Sequence, residues 1–133
     1  MALTIPERVA DLVKWETKAF AFLGLVRKDG RPHVSPVWFD YRDGLIVINT
    51  ARGRVKDKIL RRRGPVTATI FNPDSPYRYL MLAGHVVGET EDGAFDQIQK
   101  LNEKYHGKYE YPKRPGEVRV TYRIEPTEVF PRA

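Results

Sequence analysis

The sequence has no cysteine among its 133 residues, which excludes a disulfide scaffold and any thiolate metal site. It has no long apolar run either, and nothing approaches the roughly 20 consecutive residues a helix needs to cross a bilayer. The N-terminus lacks the apolar core of a secretory signal. No Gly-x-Gly-x-x-Gly and no Walker motif occurs, so two phosphate-binding fingerprints of parallel nucleotide folds are missing. Repeats, linkers and low-complexity segments are absent as well. These absences predict one cytoplasmic domain spanning residues 1–133 with no membrane partner. At 41% hydrophobic content the chain can build a core, yet it is small enough for oligomerisation to add materially to its stability.

What is present is one concentrated patch of charge. Asn49 to Leu60 reads Asn-Thr-Ala-Arg-Gly-Arg-Val-Lys-Asp-Lys-Ile-Leu, following an apolar run and opening a helix. From Ala51 to Gly64, Arg52, Arg54, Lys56, Lys58, Arg61, Arg62 and Arg63 stand against Asp57 alone, so this stretch accounts for the whole formal net charge of +6. A strand-to-helix junction favours phosphate, because the first helical amides lack internal acceptors and the helix dipole adds partial positive charge. Arg54 and Lys56 would lie roughly 200° apart in mid-helix, so their convergence requires Arg54 in the Gly53 turn and Lys56 in the first turn. The plain alternative is a solvated basic face with Val55, Ile59 and Leu60 as its buried stripe. That plain reading applies to Arg61 to Arg63.

In chain order, Pro6 to Lys14 reads as a short helix capped by Thr4, with Val9, Leu12 and Val13 at apolar spacing. Phe20 to Arg27 and Arg31 to Tyr41 read as a hairpin about Asp29-Gly30, and Asp43-Gly44 turns the chain into Leu45 to Thr50. Pro65 to Asn72 is β-rich, a turn-forming loop follows, and Tyr77 to Glu91 reads as one long strand. Gly84 and Gly88 interrupt that strand, as a strand coiling round a barrel corner requires. Asp92 is placed to cap a helix whose Phe95, Ile98, Leu101 and Tyr105 have helical spacing up to Gly107. In the last strand Val118, Val120, Tyr122 and Ile124 alternate with Arg119, Thr121, Arg123 and Glu125. About six strands, mostly joined by hairpins, predict a mainly β fold with short helices, a small antiparallel barrel.

Pro36, within His33-Val34-Ser35-Pro36-Val37-Trp38-Phe39, cannot donate a ladder hydrogen bond and belongs on an edge or at a bulge. A flat ring can lie against such an edge; an ordinary edge proline is the alternative.

The runs Arg27-Lys-Asp-Gly-Arg-Pro-His-Val-Ser-Pro-Val-Trp-Phe-Asp, Ile48-Asn-Thr-Ala-Arg-Gly-Arg-Val-Lys, Tyr77-Arg-Tyr-Leu, Gly84-His-Val-Val and Tyr122-Arg-Ile-Glu-Pro resemble the pyridoxamine-phosphate-oxidase-like split-barrel family. Within it they are most similar to the small deazaflavin-dependent oxidoreductases. The resemblance covers nearly the whole chain in order and spacing. It implies a six-stranded antiparallel split barrel, a homodimer, and flavin or deazaflavin sites at the dimer interface. By position, it implies that Arg54 and Lys56 hold the cofactor phosphate, with Asn49 and Thr50 at the strand end beside it. Ser35, Pro36, Val37 and Trp38 match the edge that carries the ring, and Tyr77, Arg78 and Tyr79 match a segment reaching in from the partner subunit. Ile59-Leu60 stands where the family usually has Asn-Leu. The C-terminal extension with which the oxidases proper bind substrate has no counterpart before Ala133, so pyridoxamine phosphate oxidation is not expected.

Charge bears on the choice of cofactor. FMN ends in one phosphate, which Arg54 and Lys56 can hold, whereas coenzyme F420 continues into a carboxylate-bearing tail. Arg52 and Lys58, with Arg61, supply positive charge that only the longer anion would use, so F420 is the first reading and FMN the alternative. The expected chemistry is hydride transfer to a small-molecule substrate, the cofactor doing the chemistry and the protein orienting it. Trp38, Tyr77 and Tyr79 can wall a substrate pocket, or serve as core. No catalytic residue is assigned, and His33, His85 and His106 lack metal-ligand spacing. A nucleic-acid-binding helix over Arg52 to Arg63 is a further alternative, disfavoured because the charge sits on one element. A non-catalytic cofactor carrier has the same sequence features as an enzyme.

Overall fold

Alternation decides which strand faces look inward. In the computed structural model, which describes residues 3–132, β1 (Phe20–Val26) buries Ala21, Leu23 and Leu25 and exposes Phe22 and Val26. The first reversal follows from Gly30, whose φ of 88° no side chain tolerates well, and the Asp29 carboxylate accepts the Arg31 amide at 3.1 Å. In the second reversal Asp43 (φ 54°) and Gly44 (φ 77°) are both left-handed, as a type I′ hairpin turn requires.

The expected second strand is two. β2 (Pro32–Val37) pairs with β1, and β3 (Asp40–Arg42) pairs with β4 (Leu45–Ala51). With β5 (Pro65–Phe71), β6 (Tyr79–Thr90) and β7 (Arg119–Phe130), the sheet has seven antiparallel strands rather than six, in the order β2-β1-β5-β6-β7-β4-β3. β2 and β3 are therefore its opposite edges, yet only Trp38 and Phe39 separate them in sequence. Four consecutive Cα atoms span at most about 11 Å, so the sheet must curl until its edges nearly meet, leaving a split barrel. Phe39, 1% exposed, drops into the barrel core at this crossing. Pro36 sits on the edge strand, opposite Phe22.

The glycines of β6 do what the strand pattern asked of them. Register shifts fall at Ala83/Gly84 and Val86/Gly88, and a Cβ on Gly84 would overlap the Glu125 carbonyl. These bulges let the two longest strands coil together.

Three short helices decorate the sheet. The segment Glu7–Val13 is a 3-10 helix with Pro6 at its N-cap and no side-chain cap, so Thr4 does not have the capping role expected of it. Helix α1 (Val55–Arg61) buries Ile59 and Leu60, but Val55 is 51% exposed and the third buried residue is Asp57. Helix α2 (Ala94–His106) starts from a left-handed Gly93, not from an Asp92 cap, and stops at left-handed Gly107. It packs over β7 and β4, which explains why Arg119 and Thr121 are buried although strand alternation places them outward. The main core fills the barrel; a second cluster of Ile98, Leu101 and Tyr105, with Phe20, Trp38, Phe95 and Tyr111, lies under α2.

Candidate functional site

The second cluster is incompletely filled. Phe20, Pro36, Val37, Trp38, Ile98, Leu101 and Tyr111 wall a cavity of about 350 Å³ whose polar lining is Asn49, Lys56 and Arg119. This is the low end of ligand-pocket size, with the usual makeup of apolar walls and a few convergent polar groups. Trp38 is fixed by stacking on Tyr105 at 5.3 Å and by the edge of His106 at 5.2 Å. Tyr105 in turn donates its hydroxyl to the Ala19 carbonyl at 2.6 Å, and burial pushes that hydroxyl's pKa up to about 12.

Two cations, Lys56 and Arg119, stand in the polar lining, and Arg54 stands beside them. Arg119 has a side chain only 4% exposed; its Nε donates to Asn49 Oδ1 at 2.9 Å. Asn49 is held by its own amide, which donates to the Ala94 carbonyl at 2.7 Å and to Gln97 at 2.8 Å. Arg54 occupies the extended N-cap of α1 and pairs with Glu117 at 3.1 Å. Lys56 follows in the first turn, so the two basic residues converge as the Gly53 turn (φ 89°) allows. Burial first, then repulsion from Arg54 and Arg119, push the Lys56 ammonium below its ordinary range. No carboxylate among the described residues pairs with it.

The backbone part of the expected cradle is differently used. The Gly53 amide donates to Asp57 Oδ2 at 2.9 Å, and Asp57 Oδ1 receives Tyr122 at 2.6 Å and Arg52 at 3.1 Å. The helix carries its own anion, so the charge available to a ligand comes from side chains. Arg52 is also spoken for, by Glu89 at 2.7 Å and Glu91 at 2.9 Å; these hydrogen bonds, with Glu89 foremost, raise its pKa.

Of the residues singled out in the sequence, the structure brings Pro36, Val37, Trp38, Asn49 and Lys56 to one cavity. Arg54 stands beside them. Thr50 is buried in β4 opposite Val120. Ser35 Oγ and His33 Nδ1, two residues apart on edge strand β2, are buried without a hydrogen-bond partner among the described residues. Lys58 lines a different cavity with Arg27, Asp29 and Arg62. Tyr77, Arg78 and Tyr79 line yet another, which shares no lining residue with the first, beside Arg8, Val9 and Phe130. Arg78 is anchored there by a bidentate pair to Asp11 at 2.9 and 2.8 Å. Arg119 and Tyr111 were not among the sequence candidates. The signal for Arg119 was its place in β7 opposite Ala51, two positions from Thr121 opposite Asn49, on the face that amphipathic α2 must cover.

Known proteins bear on this arrangement. No curated protein matches the chain. Among solved structures, one described as an F420 reductase is 28% identical, with a TM-score of 0.81 over 94% of this chain and 98% of that one. A conserved hypothetical protein from Mycobacterium tuberculosis shares 21% identity and a TM-score of 0.67, covering 96% and 84% of the two chains. General Stress Protein 26 from Bacillus anthracis shares 17% and 0.66, covering 93% and 90%; at these identities the likeness shows the fold. The family model for pyridoxamine 5'-phosphate oxidase matches residues 5–133. A curled antiparallel half-barrel with that match over almost its whole length belongs to the pyridoxamine 5'-phosphate oxidase family of flavin- and deazaflavin-binding split barrels.

Proposed function

We propose that the protein is an oxidoreductase that binds coenzyme F420 between two copies of the chain and transfers a hydride to a small organic substrate. The observation that carries this reading is Lys56, a half-buried ammonium without a counter-ion among the described residues, beside Arg54 and Arg119 at an apolar slot. A cation desolvated against other cations is costly, and a phosphorylated ring compound relieves that cost while its ring fills the slot. The residues fit the group: Pro36, Val37 and Trp38 offer a flat apolar wall, and Lys56, with Arg54 beside it, offers phosphate ligands. The bound deazaflavin supplies the hydride donor or acceptor. The protein's part is to orient the ring, exclude water with Phe20, Ile98 and Leu101, and balance the anionic charge.

The second copy is inferred from the outer face of β1 and β2. Phe22 is 44% and Val34 63% exposed, and they neighbour Pro36 and Val26 on one apolar surface. That surface is continuous with Phe20 and Pro36 of the slot. Covering it with a partner is worth about 1.5–3 kcal/mol per large side chain, and Tyr77, 95% exposed, is the residue such a partner would contribute with Arg78 and Tyr79.

A specific observation favours FMN as second reading. Arg52, counted in the sequence as spare charge for a longer anion, is neutralised by Glu89, Glu91 and Asp57, and Lys58 faces a different cavity. The support for F420 is then the 28% identical F420 reductase. Titration of the purified protein with each cofactor, followed by absorbance and by fluorescence of Trp38, decides: F420 should bind more tightly, and failure of both to bind overturns the proposal.

A further inference from the structure

Arg54, Arg114 and Arg119 converge on a single carboxylate. Glu117 Oε2 lies 3.1 Å from Arg54 Nη2 and 3.6 Å from Arg114 Nη1, and Oε1 lies 3.4 Å from Arg119 Nη1. Glu117 itself has a side chain only 11% exposed. Its backbone is held close to the basic turn, since the Arg52 amide donates to the Val118 carbonyl at 2.8 Å. Lys56 stands beside Arg54 and Arg119 without a carboxylate of its own among the described residues. One glutamate therefore serves a group of cations whose charge it cannot balance.

Two geometric features distinguish how Glu117 and Arg119 are held, although Arg54 keeps a 3.1 Å hydrogen bond to Glu117. The contacts of Arg114 and Arg119 to Glu117, at 3.6 and 3.4 Å, are longer than the roughly 2.7–2.9 Å of a settled charge-assisted hydrogen bond. Arg119, in contrast, is tightly aimed: Asn49 fixes its Nε, Tyr111 lies under its guanidinium at 5.2 Å, and it forms part of the wall of two adjoining cavities, the slot and the one that holds Glu117. A buried arginine whose position is set by neutral neighbours and whose counter-ion is loose resembles a ligand-binding arginine more than half of a structural ion pair.

We propose that Arg119 is a third ligand of the cofactor's phosphate, with Arg54 and Lys56, and that Glu117 is a stand-in anion which that phosphate displaces from the arginines. The inference rests on the proposed anion-binding role of the slot and adds a residue and a competitor to it. It also explains the arrangement of charge. Without ligand, Glu117 partly neutralises the arginines; with ligand, a phosphate carrying one negative charge as a diester or up to two as a monoester meets three cations at once, while Glu117 keeps Arg114.

The test turns on a sign. A carboxylate that merely braces the arginines would, when replaced by Glu117→Gln, let them drift and weaken anion binding. A competing carboxylate would, when replaced, strengthen it. Binding of inorganic pyrophosphate, FMN and F420 to wild type and Glu117→Gln is measured by calorimetry at low salt and again in 0.5 M salt. Glu117→Gln should bind each ligand that wild type binds about threefold to thirtyfold more tightly. The gain should largely survive high salt, because contact competition at a buried site is screened far less than a distant charge effect. Arg119→Gln should bind at least about tenfold more weakly, and in the double variant the gain from Glu117→Gln should shrink. Equal or weaker binding by Glu117→Gln overturns the proposal, whether or not Arg119→Gln folds, and so does a gain that vanishes in salt. Should pyrophosphate show the predicted pattern while neither cofactor binds, the anion site stands and the cofactor assignment falls. Should the cofactors bind and Glu117→Gln change nothing, the reverse holds. Absence of binding by all three ligands overturns both.

Discussion

The Tyr122 hydroxyl donates to the Asp57 carboxylate at 2.6 Å, joining β7 to α1 through the middle of the core. Tyr122 is fully buried and Asp57 is 1% exposed. The same carboxylate takes the Gly53 amide and Arg52, so one buried charge fixes the turn that presents Arg54 and Lys56. Removing the hydroxyl leaves that charge short of a donor. Tyr122→Phe should cost about 1.5–3 kcal/mol, and thermal denaturation should show a melting temperature lower by roughly 5–12 °C.

The pH dependence has a definite sign. Burial pushes the Asp57 carboxyl up, but hydrogen bonds from Tyr122, the Gly53 amide and Arg52 together hold it below the usual carboxylate range. A depressed folded-state value means that its stabilisation is present above the unfolded pKa and is lost as pH falls through the folded one. Stability should therefore decline below about pH 4. In Asp57→Asn this part of the decline should be absent, although the variant is less stable at neutral pH. Urea midpoints at pH 7 and pH 3 measure both.

Arg52 and Lys58 should part company. Both are basic residues of one segment, but Arg52 bridges three carboxylates and Lys58 contacts none among the described residues. Arg52→Ala leaves Asp57 and Glu89 without their counter-ion and should destabilise by about 2–4 kcal/mol. Lys58→Ala should change stability by less than about 0.5 kcal/mol, as a surface substitution does, and leave cofactor affinity as in wild type.

Local patterns made most of the fold legible. Alternation placed β7, an apolar run and a β-rich run placed β1 and β5, paired turn residues placed both hairpins, and Gly84 and Gly88 marked real bulges. What they did not show is tertiary. Nothing local tells that the run from Arg31 to Tyr41 leaves one sheet edge and joins the other, because Trp38 and Phe39 suit a strand as well as a crossing. Charge counting misjudged Arg52 for a related reason. Its partners Glu89 and Glu91 lie far along the chain and reach it only once β6 pairs with β7 and β7 with β4. Arg119 was hidden because an arginine on an alternating strand reads as solvent-facing until α2 is laid over it.

The open face of β1 and β2 offers a test of the two-copy arrangement. Val34→Asp puts a charge at a 63% exposed position where a monomer loses nothing. If a second copy covers this face, the buried charge should cost several kcal/mol of association, and sedimentation should shift toward monomer. Cofactor affinity should fall with it, since the partner's Tyr77 segment leaves the slot. Unchanged sedimentation in Val34→Asp would place any dimer contact elsewhere.

Lys56 sets stability against function. Its folded-state pKa lies below its ordinary value, first through burial and then through repulsion from Arg54 and Arg119. A basic group depressed in the folded state destabilises the fold wherever it must be charged, and that penalty is relieved only as pH rises through the folded pKa toward the unfolded one. Lys56→Met keeps the aliphatic stem and discards the charge, so the empty protein should be as stable as wild type or more so at neutral pH. The ligand is affected in the opposite direction. Loss of a charge-assisted contact to phosphate is worth about 1.5–3 kcal/mol, or roughly tenfold to a hundredfold in affinity. Thermal shift with and without saturating cofactor reads both quantities in one experiment: the unliganded midpoint should hold or rise, and the ligand-induced shift should shrink. A Lys56→Met protein that melts lower when empty yet binds F420 and FMN as wild type does would make Lys56 a structural residue and remove the cation on which the proposed function rests.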